Sequence, residues 1–145
     1  MRYLIDTCVI SELIKKRPDR RVVEWVRDRS DTSLFLSVIT IGEIEKGIGK
    51  LPEGRKKQRL RKWVEEDLSR WFTGRILEID RPVAVRWGTI SGQAEKSGRP
   101  IPVLDGLLAA TALEAGLALA TRNLGHLEET GVPLVDPWSA SPGKA

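Results

Sequence analysis

The chain has 145 residues, a formal net charge of +4 and one cysteine. That length suits a single ordinary domain that buries roughly two-thirds of its unfolded surface, with no need for staples. The lone Cys8 excludes an internal disulfide and a cysteine-based zinc site, and it fits a reducing, cytoplasmic setting. Met1-Arg2 leads straight into apolar residues without an export-leader pattern. The most apolar stretch, 101–121, is broken by Pro102, Asp105 and Glu114, so no membrane span is expected.

Taken in chain order, strands and helices alternate, the pattern of an α/β fold around a mainly parallel sheet. Tyr3 to Ile5 reads as the first strand. Helices are expected over Val9 to Ile14 and Val22 to Arg29, divided at Pro18, which lacks an amide donor and pushes its predecessor out of helix. Leu34 to Val38 reads as a strand and Glu43 to Lys50 as a helix stopped at Leu51-Pro52. From Gln58 to Phe72, apolar Leu60, Trp63, Val64, Leu68 and Trp71 recur at helical spacing. A short strand, Arg75 to Ile79, precedes Pro82, which suits the first turn of a helix reaching about Lys96. Ser97-Gly98-Arg99-Pro100 then punctuates the chain before the apolar strand Ile101 to Leu104. A helix from Asp105 should close on Gly116 as a left-handed cap, followed by strands at Leu117 to Ala120 and Leu134-Val135. Residues 1–138 thus read as one domain and 139–145 as a frayed tail.

Asp6, Glu43 and Asp105 each fall where an apolar strand gives way to a helix. In an open α/β sheet such points converge on the crevice beyond the carboxyl ends of the strands, at the topological switch point. Carboxylates gathered there call for a counter-charge, and Mg²⁺ is suited to one or two of them plus water and phosphate oxygens. Each acid also has a local explanation. Asp105 and Asp6 can cap helices, and Thr40-Ile41-Gly42-Glu43 matches a capping box. Caps have no need to share one end of a sheet, whereas metal-assisted phosphodiester hydrolysis does.

Two basic runs, Lys15-Lys16-Arg17 with Arg20-Arg21 and Arg55 to Lys62, favour polyanionic partners if they face phosphates. If they do not, they form solvated faces, the second pairing with Glu65, Glu66 and Asp67. Among the five tryptophans, Trp63 and Trp71 share a helical face with Leu60, Val64 and Leu68, which points to core or subunit packing rather than base stacking.

Four motifs in order carry a family resemblance: Asp6-Thr7 after a short strand, Ser37 to Glu43, Asp105 to Ala112, and Ala120-Thr121-Arg122-Asn123. They resemble those of PIN-domain ribonucleases, and more narrowly of VapC-type toxins and their FitB-like relatives, from Met1 to about Trp138. The resemblance implies a PIN-like α/β/α sandwich and Mg²⁺, or Mn²⁺, in an acidic pocket that cleaves RNA. It also implies a small DNA-binding antitoxin that blocks the pocket, within a homodimer or larger hetero-oligomer. Asp6 and Asp105 would ligate the metal, with Glu43 as a third ligand or acting through water. Two positions depart from the family: Cys8 stands where Asn is common, and Asn123 or His126 where a fourth acid is expected. Asn123 can offer a carbonyl oxygen to a metal-bound water but adds no negative charge. His126 suits a general base by its ordinary pKa, or else is a loop residue without a partner. Thr7, Ser37, Thr40 and Thr121 are expected either to orient the carboxylates or to cap helices. Arg122 would guide RNA or restrain one of the acids by pairing with it.

Other chemistries lack their residues. A haloacid-dehalogenase-type phosphatase needs a second aspartate where Cys8 stands, and no nucleotide-binding glycine loop occurs. A non-catalytic scaffold that binds RNA or a protein without cutting remains the alternative of a different class.

Overall fold

Alternating side chains along the central strands feed two separate hydrophobic layers. In the computed structural model, which describes residues 1–139, β1 (Tyr3–Ile5) sends Tyr3 and Ile5 to one face and Leu4 to the other. β2 (Leu34–Ser37) sends Leu34 and Leu36 to the first face and Phe35 to the second, and β4 (Ala118–Ala120) divides Ala118 and Ala120 from Leu119. With β3 (Ile76–Leu77) and β5 (Leu134–Val135) they form a five-stranded sheet in the order β3-β2-β1-β4-β5. Every pairing is parallel, and Leu4 lies opposite both Phe35 and Leu119. A parallel sheet must be covered on both faces because its crossovers are helices.

The first face is covered by α1 (Thr7–Leu13), α2 (Arg20–Arg27), α3 (Val38–Gly49) and α4 (Arg55–Lys62), through residues such as Ile10, Trp25, Ile44 and Ile48. The α4 helix runs on as a π-helical stretch, Trp63–Leu68, and a final turn, α5 (Ser69–Trp71). That run delivers Val64, Leu68 and Phe72 to the core, with Trp63 and Trp71 half-buried against it, so both tryptophans pack. The second face is covered by α7 (Val103–Ala115), itself backed by α6 (Arg81–Lys96). The expected α/β/α sandwich is the one observed. No helix among the described residues is long and apolar enough to cross a membrane.

Several boundaries differ from expectation, among them the start of the α4 run at Arg55 instead of Gln58 and a β3 of two residues instead of Arg75 to Ile79. The α1 and α2 helices each begin about one residue pair earlier, capped by Asp6 and Asp19. The α3 helix starts at Val38, immediately after the strand, because the Ser37 hydroxyl accepts the Ile39 amide at 3.0 Å. Its β-branched residues cost only tenths of a kcal/mol each as helix formers, roughly, and burying Thr40, Ile44 and Ile48 outweighs that. Ile101 to Leu104 is not a strand. Pro102 is instead the N-cap of α7, which ends as expected on left-handed Gly116, at φ 69°. Two 3₁₀ turns, Asp31–Ser33 and Glu128–Thr130, had no sequence signal strong enough to place them. Of the expected tail only Ser139 lies within the described residues.

Phe72 is fully buried where the helical run meets the sheet. Phe72→Ala should lower unfolding free energy by about 3–5 kcal/mol, whereas Val85→Ala, at a position 63% exposed, should change it by less than about 0.5 kcal/mol. Urea unfolding of both variants measures the contrast.

Candidate active site

Strand order reverses between β1 and β4, so the switch point opens where those two strands end. Asp6 follows β1 directly, and its amide donates to the Ala120 carbonyl at 2.9 Å, locking it to the end of β4. Its carboxylate is buried. One oxygen accepts the Thr7 amide at 2.6 Å, which makes Asp6 the N-cap of α1; the other accepts the buried Thr121 hydroxyl at 2.6 Å and the Cys8 thiol at 3.7 Å. Burial raises the Asp6 pKa despite these donors, and the negative charge of Asp105 raises it further. Burial also pushes the Cys8 thiol up to about 11, helped by Asp6, so Cys8 stays a protonated donor at neutral pH.

Glu43 sits in the second turn of α3 rather than at its start, and Ser37, not Thr40, caps that helix. The capping box is therefore not formed. Instead, the Thr7 hydroxyl lies 2.6 Å from Glu43 Oε1 and 3.1 Å from the buried Thr40 hydroxyl, tying α1 to α3. Asp105 lies in the first turn of α7, and since Pro102 occupies the cap its carboxylate does no capping work. Its position still favours negative charge, because amide dipoles point outward at a helix start. His126 Nε2 stands 3.0 Å from Asp105 Oδ2, so this histidine has a partner that sequence alone did not supply.

The remaining candidates stand apart. Asn123 is exposed; its backbone amide donates to Thr121 Oγ1 at 3.0 Å, and its side chain makes no hydrogen bond among the described residues. Arg122 pairs with none of the three acids and lies over the Trp138 ring at 4.5 Å. Among the described residues no three His, Cys, Asp or Glu side chains are close enough together to clasp a metal by themselves. Asp105 is near enough for its charge to act on Asp6, and Thr7 contacts Asp6 through its amide and Glu43 through its hydroxyl. This all-oxygen set of carboxylates suits a hard cation that completes its shell with water and phosphate oxygens.

One contact had no sequence signal. A Cβ on Gly106 would stand 3.1 Å from the Trp87 ring, so the glycine beside Asp105 lets α6 and α7 meet closely. Only the packing of the two helices shows why a side chain is unwelcome there.

The PIN domain profile matches residues 3–131. The chain belongs to the PIN-domain family. Among its relatives, Toxin FitB of Neisseria gonorrhoeae is 38% identical across 93% of this chain and 97% of its own. The VapC ribonuclease Y4jK of Sinorhizobium fredii is 34% identical across 93% and 96%. The crystal structure of FitAcB from Neisseria gonorrhoeae superposes with a TM-score of 0.91 at 37% identity, covering 95% of this chain and 99% of that one. This PIN domain thus shares its fold with the matched chain of that structure over nearly all of its length.

Since burial raises the pKa of folded Asp6, the native state binds more protons than the unfolded chain. Stability should therefore fall as pH rises from the ordinary aspartate range through the raised value. Asp6→Asn keeps a good N-cap and should remove that decline, leaving the metal-free variant as stable as wild type or more so at neutral pH. Melting temperatures from about pH 4 to 8 would measure it. Gly106→Ala should cost about 1–3 kcal/mol through overpacking, and less in combination with Trp87→Leu. Denaturant unfolding of the four-member cycle tests that contact.

Proposed function

We propose that this PIN domain is a divalent-metal-dependent RNA endonuclease, cytoplasmic, and the toxin of a toxin–antitoxin pair held in check by a small DNA-binding antitoxin. The observation that carries this reading is a buried carboxylate, Asp6, fixed at the switch point by its amide's bond to the end of β4, with the charge of Asp105 close enough to act on it. Kinship with a named toxin and a named ribonuclease supports it.

In this reading Asp6 and Asp105 hold Mg²⁺ or Mn²⁺, with Glu43 joining directly or through water. When bound, the cation makes water a stronger nucleophile and neutralises charge growing on the scissile phosphate. The chain's own residues have narrower tasks. Thr121 and Cys8 hold one Asp6 oxygen by donating to it, and the Thr7 amide holds the other. The Thr7 hydroxyl orients Glu43. His126 fixes the Asp105 carboxylate from the solvent side, being the more exposed of the pair. Asn123, exposed beside Thr121, offers its amide to water or phosphate without adding charge.

A second reading is favoured by that same Asn123, which stands where the family resemblance implies an acid: a scaffold that binds RNA without cutting it. Incubating purified protein with single-stranded RNA separates the two. Cleavage should require Mg²⁺ or Mn²⁺, stop with excess chelator, and fall by about 100-fold or more in Asp6→Asn and Asp105→Asn. Full activity in chelator would rule the mechanism out, and binding without cleavage by wild type would establish the scaffold. Growth arrest on expression, relieved by the co-encoded antitoxin, tests the toxin role.

A further inference from the structure

Two clefts on opposite faces of the sheet flank the candidate site, one lined by Glu43 and the other by His126, the partner of Asp105, and their chemistry differs. On the first face, a groove of about 710 Å³ between α1, α3 and α4 ends at Thr7 and Glu43. Its apolar floor includes Ile44 and Ile48, and its rim carries Lys15, Lys16, Arg55, Lys56 and Arg59. Of these five cations only Lys15 is in an ion pair among the described residues, so four remain available to phosphates. On the second face, a cleft of about 740 Å³ lies between α6 and the 3₁₀ turn Glu128–Thr130, with His126 on its wall. Its charges balance: Arg86 and Arg99 against Glu128 and Glu129, and both arginines are paired, with Glu114 and Glu129 respectively. Such a lining gives a phosphate no net attraction. It does offer hydrogen bonds, because Thr89 and Gln93 on α6 and Ser97 at its C-cap recur every fourth residue along the lining, although the Thr89 hydroxyl already donates to the Val85 carbonyl. The Gln93 amide, with a donor and an acceptor side by side, makes no hydrogen bond among the described residues. The two linings share no residue, and His126, in contact with Asp105, joins the second to the candidate site.

We propose that RNA crosses the acid cluster with its backbone in the basic groove, while a nucleobase next to the scissile phosphate enters the neutral α6 cleft, where Gln93 reads its edge. The proposal rests on the nuclease reading. It divides labour as nucleic-acid recognition generally does, with phosphate contacts positioning the chain and base contacts specifying sequence. A cleft of this volume falls within the range of small-molecule sites, roughly 300–1,000 Å³, and splayed bases of single-stranded RNA are commonly read by such edge contacts.

The test compares Gln93→Ala with Ser97→Ala against Lys56→Ala with Arg59→Ala in the full chain. End-sequencing of products from a randomised single-stranded RNA pool reads cleavage preference, and binding of the same pool across a salt series reads phosphate contacts. The cleft variant should flatten the preference at one nucleotide position by about 10-fold or more while leaving the salt slope unchanged. The groove variant should weaken binding of all sequences alike and reduce the salt slope. Unaltered preference in the cleft variant, or a lost salt slope in its place, would overturn the assignment, and so would a changed oligomeric state by light scattering, which would make the cleft an interface between copies. Should wild type bind RNA without cutting it, the nuclease reading fails separately. Competition between oligonucleotides differing in one base, for wild type and the cleft variant, then decides the cleft alone: discrimination lost in the variant upholds it, and discrimination unchanged overturns it.

Discussion

A carboxylate buried at the end of the central strand is the constraint around which this end of the molecule is arranged. Asp6 cannot leave its place without unravelling the start of α1, which it caps, and the junction with β4, which its amide joins. Water has been largely replaced by three donors, from Thr7, Thr121 and Cys8. They do not fully offset burial, and Asp105 adds repulsion, so the site holds unfavourable electrostatic energy in the protein alone. That imbalance is what a cation would relieve. A buried acid kept at stability's expense is the physical ground for the proposal that Asp6 and Asp105 serve function rather than folding.

The surrounding hydroxyls convert separate secondary-structure elements into one rigid frame. Thr7 links α1 to Thr40 and Glu43 on α3, and Thr121 links the end of β4 to Asp6 while accepting the Asn123 amide. Each link fixes a rotamer that would otherwise be free, so the carboxylates are oriented before any ligand arrives. The close Gly106–Trp87 approach does the same for the helix that carries Asp105, through packing instead of hydrogen bonding.

Charge is distributed as unevenly as polarity. Within the Arg55 to Lys62 run, Lys57 and Arg61 are paired with Glu53 and Glu45, while Glu65, Glu66 and Asp67 form no ion pairs with that run. The solvated-face explanation therefore holds for part of the run only. The groove-facing cations Arg55, Lys56 and Arg59 lie on the side of α4 that looks toward Glu43. Arg122 contributes to neither cleft's lining and instead covers the buried Trp138.

The sequence by itself determined the alternation of strand and helix, the parallel sheet and where most helices stop, because these follow from apolar periodicity, prolines and the cap at Gly116, all local in the chain; the α/β/α layering came from the family resemblance of its motifs. It also determined that Asp6 would stand at the end of β1, since a strand of three apolar residues stops there. It could not determine where Glu43 and Asp105 sit within their helices. Ser37 and Pro102 took the capping positions, and Val38 read as the end of a strand, with helix expected only from Glu43, whereas packing of Ile39 and Ile41 against the two layers starts the helix at Val38. Tertiary structure alone decided the His126–Asp105 pair, the Thr7–Glu43 bond and the fit of Trp87 on Gly106. Each joins residues far apart in the chain, and no local propensity encodes which distant side chain will arrive.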